Sequence, residues 1–131
     1  MSQLDLSLPT VVRQFIEALN AGDEAALSAT VSEDAFINDA QREFWGKADI
    51  TTFARKELLD PKVTMTVQKA RAHRGLVAVD AVIDGEFDKT GLPDPLILTF
   101  YFTVEDERIV TVFIMRNRPA TAALIRPPRA G

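Results

Sequence analysis

Ser32-Glu33-Asp34-Ala35-Phe36-Ile37-Asn38-Asp39, followed by Phe44-Trp45-Gly46-Lys47-Ala48-Asp49-Ile50, decides the fold of this chain. A helical pattern ends before it. A short strand over residues 35–38 closes on the carboxylate of Asp39, and a second short strand carries Phe44 and Trp45. Gly46 then breaks the chain into another helix. In a small cone-shaped α+β domain, an acid at the end of such a strand comes to lie at the mouth of an apolar pocket.

Toward the amino terminus, residues 9–21 read as a helix. Ser7 is available as its cap, Pro9 suits its first turn, and Val12, Phe15, Ile16 and Leu19 share one face. Gly22 supplies a left-handed stop, and Asp23 caps a second helix expected over residues 24–31. A third helix is expected over residues 47–59, with Ile50, Phe53, Ala54 and Leu58 as its inner stripe and Pro61 barring its continuation.

After Pro61 the period changes from helical to two. Val63, Met65 and Val67 alternate with Thr64, Thr66 and Gln68; Val77, Val79, Ala81, Ile83 and Phe87 alternate with mostly polar neighbours. Two more strands follow, over residues 96–104 and 108–115, joined by Glu105-Asp106-Glu107. The expected architecture is α+β: a curved antiparallel sheet wrapped around a pocket and closed by three N-terminal helices. It forms a single domain over residues 1–118, and residues 119–131 form a tail with little regular structure.

Both faces of the last two strands are apolar. Leu96, Leu98, Phe100 and Phe102 share one face of the first, and Val110, Val112 and Ile114 share one face of the second. Ile97, Thr99, Tyr101 and Thr103 take the other side of the first, and Ile109, Thr111, Phe113 and Met115 that of the second. A sheet covered on one side by helices needs only one apolar face. The second face is expected to meet another copy of the chain, giving a homodimer; the alternative is that the tail folds back over it.

Composition narrows the function classes. The chain has 131 residues, 47% apolar and 26% charged, and a net charge of −4. A nucleic-acid binder needs a basic face, so that class is not expected. There is no cysteine, which removes disulfide, thiolate and zinc–sulfur chemistry. Residues 1–9 lack the pattern of a signal peptide, and no apolar run reaches the ~20 residues that span a bilayer. The expected location is cytoplasmic.

The order of helix, helix, hairpin, helix and four long strands resembles the nuclear-transport-factor-2-like superfamily. This is the cone-shaped fold of scytalone dehydratase, ketosteroid isomerase and the SnoaL-like polyketide cyclases. The residues that carry it are Phe15-Ile16-Glu17-Ala18-Leu19-Asn20-Ala21-Gly22-Asp23, Asp34-Ala35-Phe36-Ile37-Asn38-Asp39, and Gly46 with Ile50 and Phe53. The run Phe87-Asp88-Lys89-Thr90-Gly91-Leu92-Pro93-Asp94-Pro95-Leu96 is similar to a SnoaL-like subgroup of unassigned function. The resemblance covers residues from about 8 to 118. It implies that Asp39 matches the isomerase's general base. It also implies that the oxyanion-hole tyrosine falls near Phe15 and the protonated aspartic acid near Phe100. Neither phenylalanine donates a hydrogen bond to an enolate oxygen, so steroid-type isomerisation is not expected.

Two readings stand for Asp39. Facing apolar walls it suits a general base; alternatively, Asn38-Asp39-Ala40-Gln41 is good turn chemistry. Trp45 is read as a pocket wall or a core residue. Phe15, Phe53, Leu98, Phe100, Val112 and Ile114 are expected to line the same cavity, with Arg116 at its rim, bound to an anionic group, paired with Asp39 or solvated. His73 falls at a hairpin end. Asp80, Asp84 and Glu86 alternate on one strand as a solvated face or a weak cation site. No metal and no cofactor is expected, and no serine nucleophile is supported. The functional expectation is a small-molecule pocket protein. In one form it is a cofactor-independent proton-transfer enzyme of isomerase, dehydratase or cyclase type, acting on a small apolar carbonyl compound with Asp39 as base. In the other it is a non-catalytic dimeric ligand-binding or interaction module of the same fold.

Overall fold

The computed structural model of the chain describes residues 8–116. The Ser7 cap and the tail over residues 119–131 lie outside the described residues.

Helix α1, Thr10–Ala21, starts directly after Pro9 and buries Val11, Val12, Phe15, Ile16, Ala18 and Leu19. It stops at Gly22 (φ 69°). There the amides of Gly22 and Asp23 donate to the carbonyls of Leu19 and Ala18 at 3.1 and 2.9 Å. Asp23 then accepts from the Ala26 amide at 3.0 Å and opens α2, Glu24–Ser28. α2 is shorter than the helix expected over residues 24–31. The buried Thr30 hydroxyl donates to the Leu27 carbonyl at 2.7 Å and ends it, so Val31 starts a strand instead.

That strand, β1 (Val31–Asp39), is longer than expected and turns through Ala40 and Gln41 into β2, Arg42–Trp45. Both turn residues have positive φ, 53° and 75°, as a two-residue hairpin of this hand requires. Helix α3, Lys47–Ala54, follows Gly46 (φ 88°) and passes into a wider π turn, Arg55–Leu59. Only α1 and α2 precede the sheet; α3 is inserted after the first hairpin. Strands β3 (Thr64–His73), β4 (Leu76–Asp84), β5 (Leu96–Glu105) and β6 (Arg108–Arg116) complete the chain. β4 ends before Phe87, which enters the following loop.

The six strands form one curved sheet in the order β2-β1-β6-β5-β4-β3. The expected all-antiparallel sheet is corrected to a mixed one. β3 to β6 are an antiparallel meander in sequence order, but β1 runs parallel to β6. The hairpin of β1 and β2 is delivered to that edge after α1 and α2, and side-chain period carries no information on which strand it meets. Register shifts interrupt three of the pairings and help to bend the sheet. The shift between β5 and β6 also changes a face. Thr103 pairs with Thr111 and Val104 with Ile109, leaving Val110 as the extra residue. Ile109, not Val110, is therefore buried with Val112 and Ile114. This corrects the expected alternation of that strand.

α1 and α3 pack on one face of the sheet and share one core with the inner residues of β1 and β3–β6. Asn20 at the end of α1 ties the helix to the outermost strand. Its side chain donates to the Met65 carbonyl at 3.0 Å and accepts from the Met65 amide at 2.7 Å. Among the described residues no helix is long and apolar enough to cross a membrane.

Candidate functional site

Asp39 is the last residue of β1. Ala35 and Ile37, four and two positions before it, are buried, so Asp39 belongs to the inner row, beside Ile114 of β6 and opposite Arg42 of β2. Its carboxylate accepts from the Arg42 guanidinium at 2.7 Å. The same guanidinium forks onto Glu57 of the π turn, Nη1 to Oε2 at 2.9 Å and Nη2 to Oε1 at 2.7 Å. It also lies 5.7 Å from the centroid of the Phe44 ring. The hydrogen bond to Glu57, then that to Asp39, holds Arg42 charged even more firmly than usual. In return the Arg42 hydrogen bond draws the Glu57 carboxyl below its ordinary range against the opposing effect of burial.

Asn38, not Asp39, does the turn chemistry: its side-chain oxygen accepts from the Gln41 amide at 2.8 Å. Asp39's partner is Arg42. No ion pair joins Arg116, exposed at the end of β6 and in register with Leu98, to Asp39. Arg42 and Glu57 are the residues that sequence reasoning missed. A signal existed for Arg42, because opposite charges flanking a two-residue turn face each other across the hairpin. Glu57 carried none, since the π turn that presents it has no signature in the helical period.

Phe15, Phe53, Phe100, Val112 and Ile114 are buried together in the core, and Leu98 is half-buried beside it. Phe15 meets Phe102 edge-on at 5.3 Å, Phe100 stacks on Phe102 at 6.0 Å, and Phe53 stacks on Phe44 at 4.4 Å. Neither Phe15 nor Phe100 is a hydrogen-bond donor. None of the best-formed hollows among the described residues joins Asp39 to Phe15, Phe53 and Phe100.

Trp45 lies on the opposite face of the sheet. Its neighbour Phe44 points inward to Phe53, so the alternation of β2 turns Trp45 outward. There it packs on Phe36 at 4.1 Å, and Phe36 in turn meets Phe113 edge-on at 5.6 Å. Trp45, Phe113 and Met115 are 61%, 40% and 56% exposed, so the outer face carries an apolar patch across β2, β1 and β6. Beside it lies an open hollow of about 670 Å³ that includes Phe113 and Met115. Thr99 on the same face is already covered within the chain and donates to Asp80 at 2.7 Å. A second hollow, of about 440 Å³, lies under the loop between β4 and β5. His73 is exposed at the hairpin between β3 and β4. Asp80, Asp84 and Glu86 pair with Arg71, Lys89 and Lys62 respectively. Among the described residues no group of three or more histidines and acids is placed to hold a metal ion.

The chain belongs to the SnoaL-like domain family, whose profile matches residues 12–112. No curated protein matches it. Solved structures share its fold. A candidate polyketide cyclase from Sinorhizobium meliloti is 24% identical, with a TM-score of 0.76 over 88% of this chain and 100% of that one. A candidate ketosteroid isomerase from Kribbella flavida is 17% identical, with a TM-score of 0.71 over 99% of this chain and 88% of that one. A SnoaL-like protein of unknown function from Burkholderia thailandensis is 17% identical, with a TM-score of 0.65 over 82% of this chain and 92% of that one.

Proposed function

We propose that this SnoaL-like chain is a non-catalytic binding module that works as a twofold homodimer, paired through the outer face of its sheet. A small, largely apolar molecule is its ligand. The observation that carries the reading is the outer patch of Phe36, Trp45, Phe113 and Met115. Large aromatic side chains exposed together on a sheet are an unsatisfied interface. The inner site supports the same reading. Asp39 is engaged by a guanidinium that also holds Glu57, and Phe15 and Phe100, near which the resemblance puts the oxyanion-hole tyrosine and the protonated aspartic acid, are buried rings with no hydrogen to donate.

Sedimentation at tens of micromolar tests the pairing, in the concentration range where weak interfaces begin to fail. A dimer is expected. Phe113→Glu should yield a folded monomer, because pairing would bury an unpaired charge at a cost of several kcal/mol. A wild-type monomer refutes the reading.

A second reading is favoured by one observation: Asp39 ends β1 on the inner row, beside Ile114. In this form the chain is a proton-transfer enzyme, of the kind named for the Sinorhizobium and Kribbella proteins, with Asp39 as base. Removal of the α-proton of a small cyclic ketone, read as deuterium uptake from solvent, is the probe. Turnover above buffer that falls by roughly 100-fold in Asp39→Asn, the usual worth of a general base, would establish it in place of the first.

A further inference from the structure

The loop over residues 85–95 is anchored at its root. The Glu86 amide donates to the Pro61 carbonyl at 2.6 Å, and a Cβ on Gly85 would come within 3.0 Å of the Pro61 oxygen and of the Val63 Cα. Gly85 has φ 155°, so the position is closed to other residues on two counts. The loop covers a hollow of about 440 Å³ against the ends of β4 and β5. That volume falls in the range of small-molecule sites, roughly 300–1,000 Å³. Ile83, Leu92 and Leu96 supply apolar wall, and Phe87 supplies an aromatic face.

The polar groups of the hollow have a sign. Lys89 places its ammonium 2.8 Å from Asp84 and 5.5 Å from the centroid of the Phe87 ring. The chain therefore already holds one ammonium there, between a carboxylate and an aromatic ring. Asp94 lines the same hollow without an ion pair or side-chain hydrogen bond among the described residues. Two carboxylates, Asp84 and Asp94, and one ammonium, Lys89, line the hollow, which leaves one negative charge beside an apolar wall.

We propose that this hollow is a binding site for a small organic ammonium compound with an apolar body. Its charge pairs with Asp94 and its body lies against Leu92, Leu96 and the Phe87 ring. The site gives a location and a ligand class to the binding-module reading, on which it rests for its purpose. It uses neither the inner row around Asp39 nor the outer patch.

Amide NMR titration of the full chain tests it, with cyclohexylammonium, cyclohexanol and cyclohexanecarboxylate as probes of one shape. The ammonium should give saturable shifts confined to residues 82–96 and bind more tightly than the alcohol, and the carboxylate should give none there. Asp94→Asn should weaken the ammonium roughly two- to fivefold, as loss of one exposed ion pair would, and leave the alcohol unchanged. Equal binding of the ammonium and the alcohol, shifts scattered outside the loop, or an unaffected Asp94→Asn variant would overturn the proposal. Sedimentation of the same samples reads pairing separately. A dimer without loop shifts sinks this site alone, and a monomer with them sinks the pairing alone.

Discussion

Replacing Arg42 with methionine removes the charge that ties Asp39 to Glu57 while keeping most of the stem. Three hydrogen bonds of 2.7–2.9 Å are lost. The side chains of Arg42, Glu57 and Asp39 are 51%, 42% and 24% exposed, so solvent screens the network and each pair is worth up to about 1 kcal/mol. The guanidinium over Phe44 adds about 0.5 kcal/mol. The expected loss at pH 7 is thus about 1.5–2 kcal/mol. Glu57 fixes the pH dependence. Its carboxyl is held below the ordinary 4.5 by Arg42 in the folded chain, so its share of stability is present above that value and is lost as pH falls through the folded one. Urea unfolding of wild type and Arg42→Met should therefore differ fully at pH 7, and the gap should narrow steadily below pH 4.5. A double-mutant cycle with Glu57→Gln isolates that share. A gap that is the same at pH 7 and pH 3, or absent at pH 7, refutes the electrostatic account.

Phe15→Ala should cost about 3–5 kcal/mol by urea unfolding, because a buried ring and its edge contact with Phe102 are removed; a cost under about 1 kcal/mol would mean the helix does not seal the core there. Asn20→Ala should cost about 1–3 kcal/mol, since the amide and carbonyl of Met65 both lose their side-chain partner. Hydrogen exchange of the Met65 amide should rise in that variant, and unchanged protection would contradict the role.

Much of the fold is written in local patterns. The Gly22-Asp23 stop and restart, the strand ending at Asp39 and the change of period at Pro61 all rest on chemistry within a few residues, and each has its counterpart in the structure. What failed depended on partners far along the chain. The parallel docking of β1 on β6 is a choice between sheet edges that period cannot express. The extra residue at Val110 shifts Ile109 onto the inner face without a glycine or proline to announce it. The site divides in the same way. Asp39 and the buried phenylalanines follow from alternation and helical spacing. The outward turn of Trp45 followed from β2 alternation once Phe44 was set inward against Phe53. Glu57 reaches Arg42 only because the helix widens at residues 55–59.

Trp45 is the only tryptophan of the chain and stands in the outer patch, so its fluorescence reports pairing directly. Acrylamide quenching of wild type at tens of micromolar, set beside Phe113→Glu, is the decisive measurement. The account predicts a protected, blue-shifted Trp45 in the wild type and an accessible, red-shifted one in the variant. Equal, easy quenching of both proteins would contradict the claim that this face is where the module pairs.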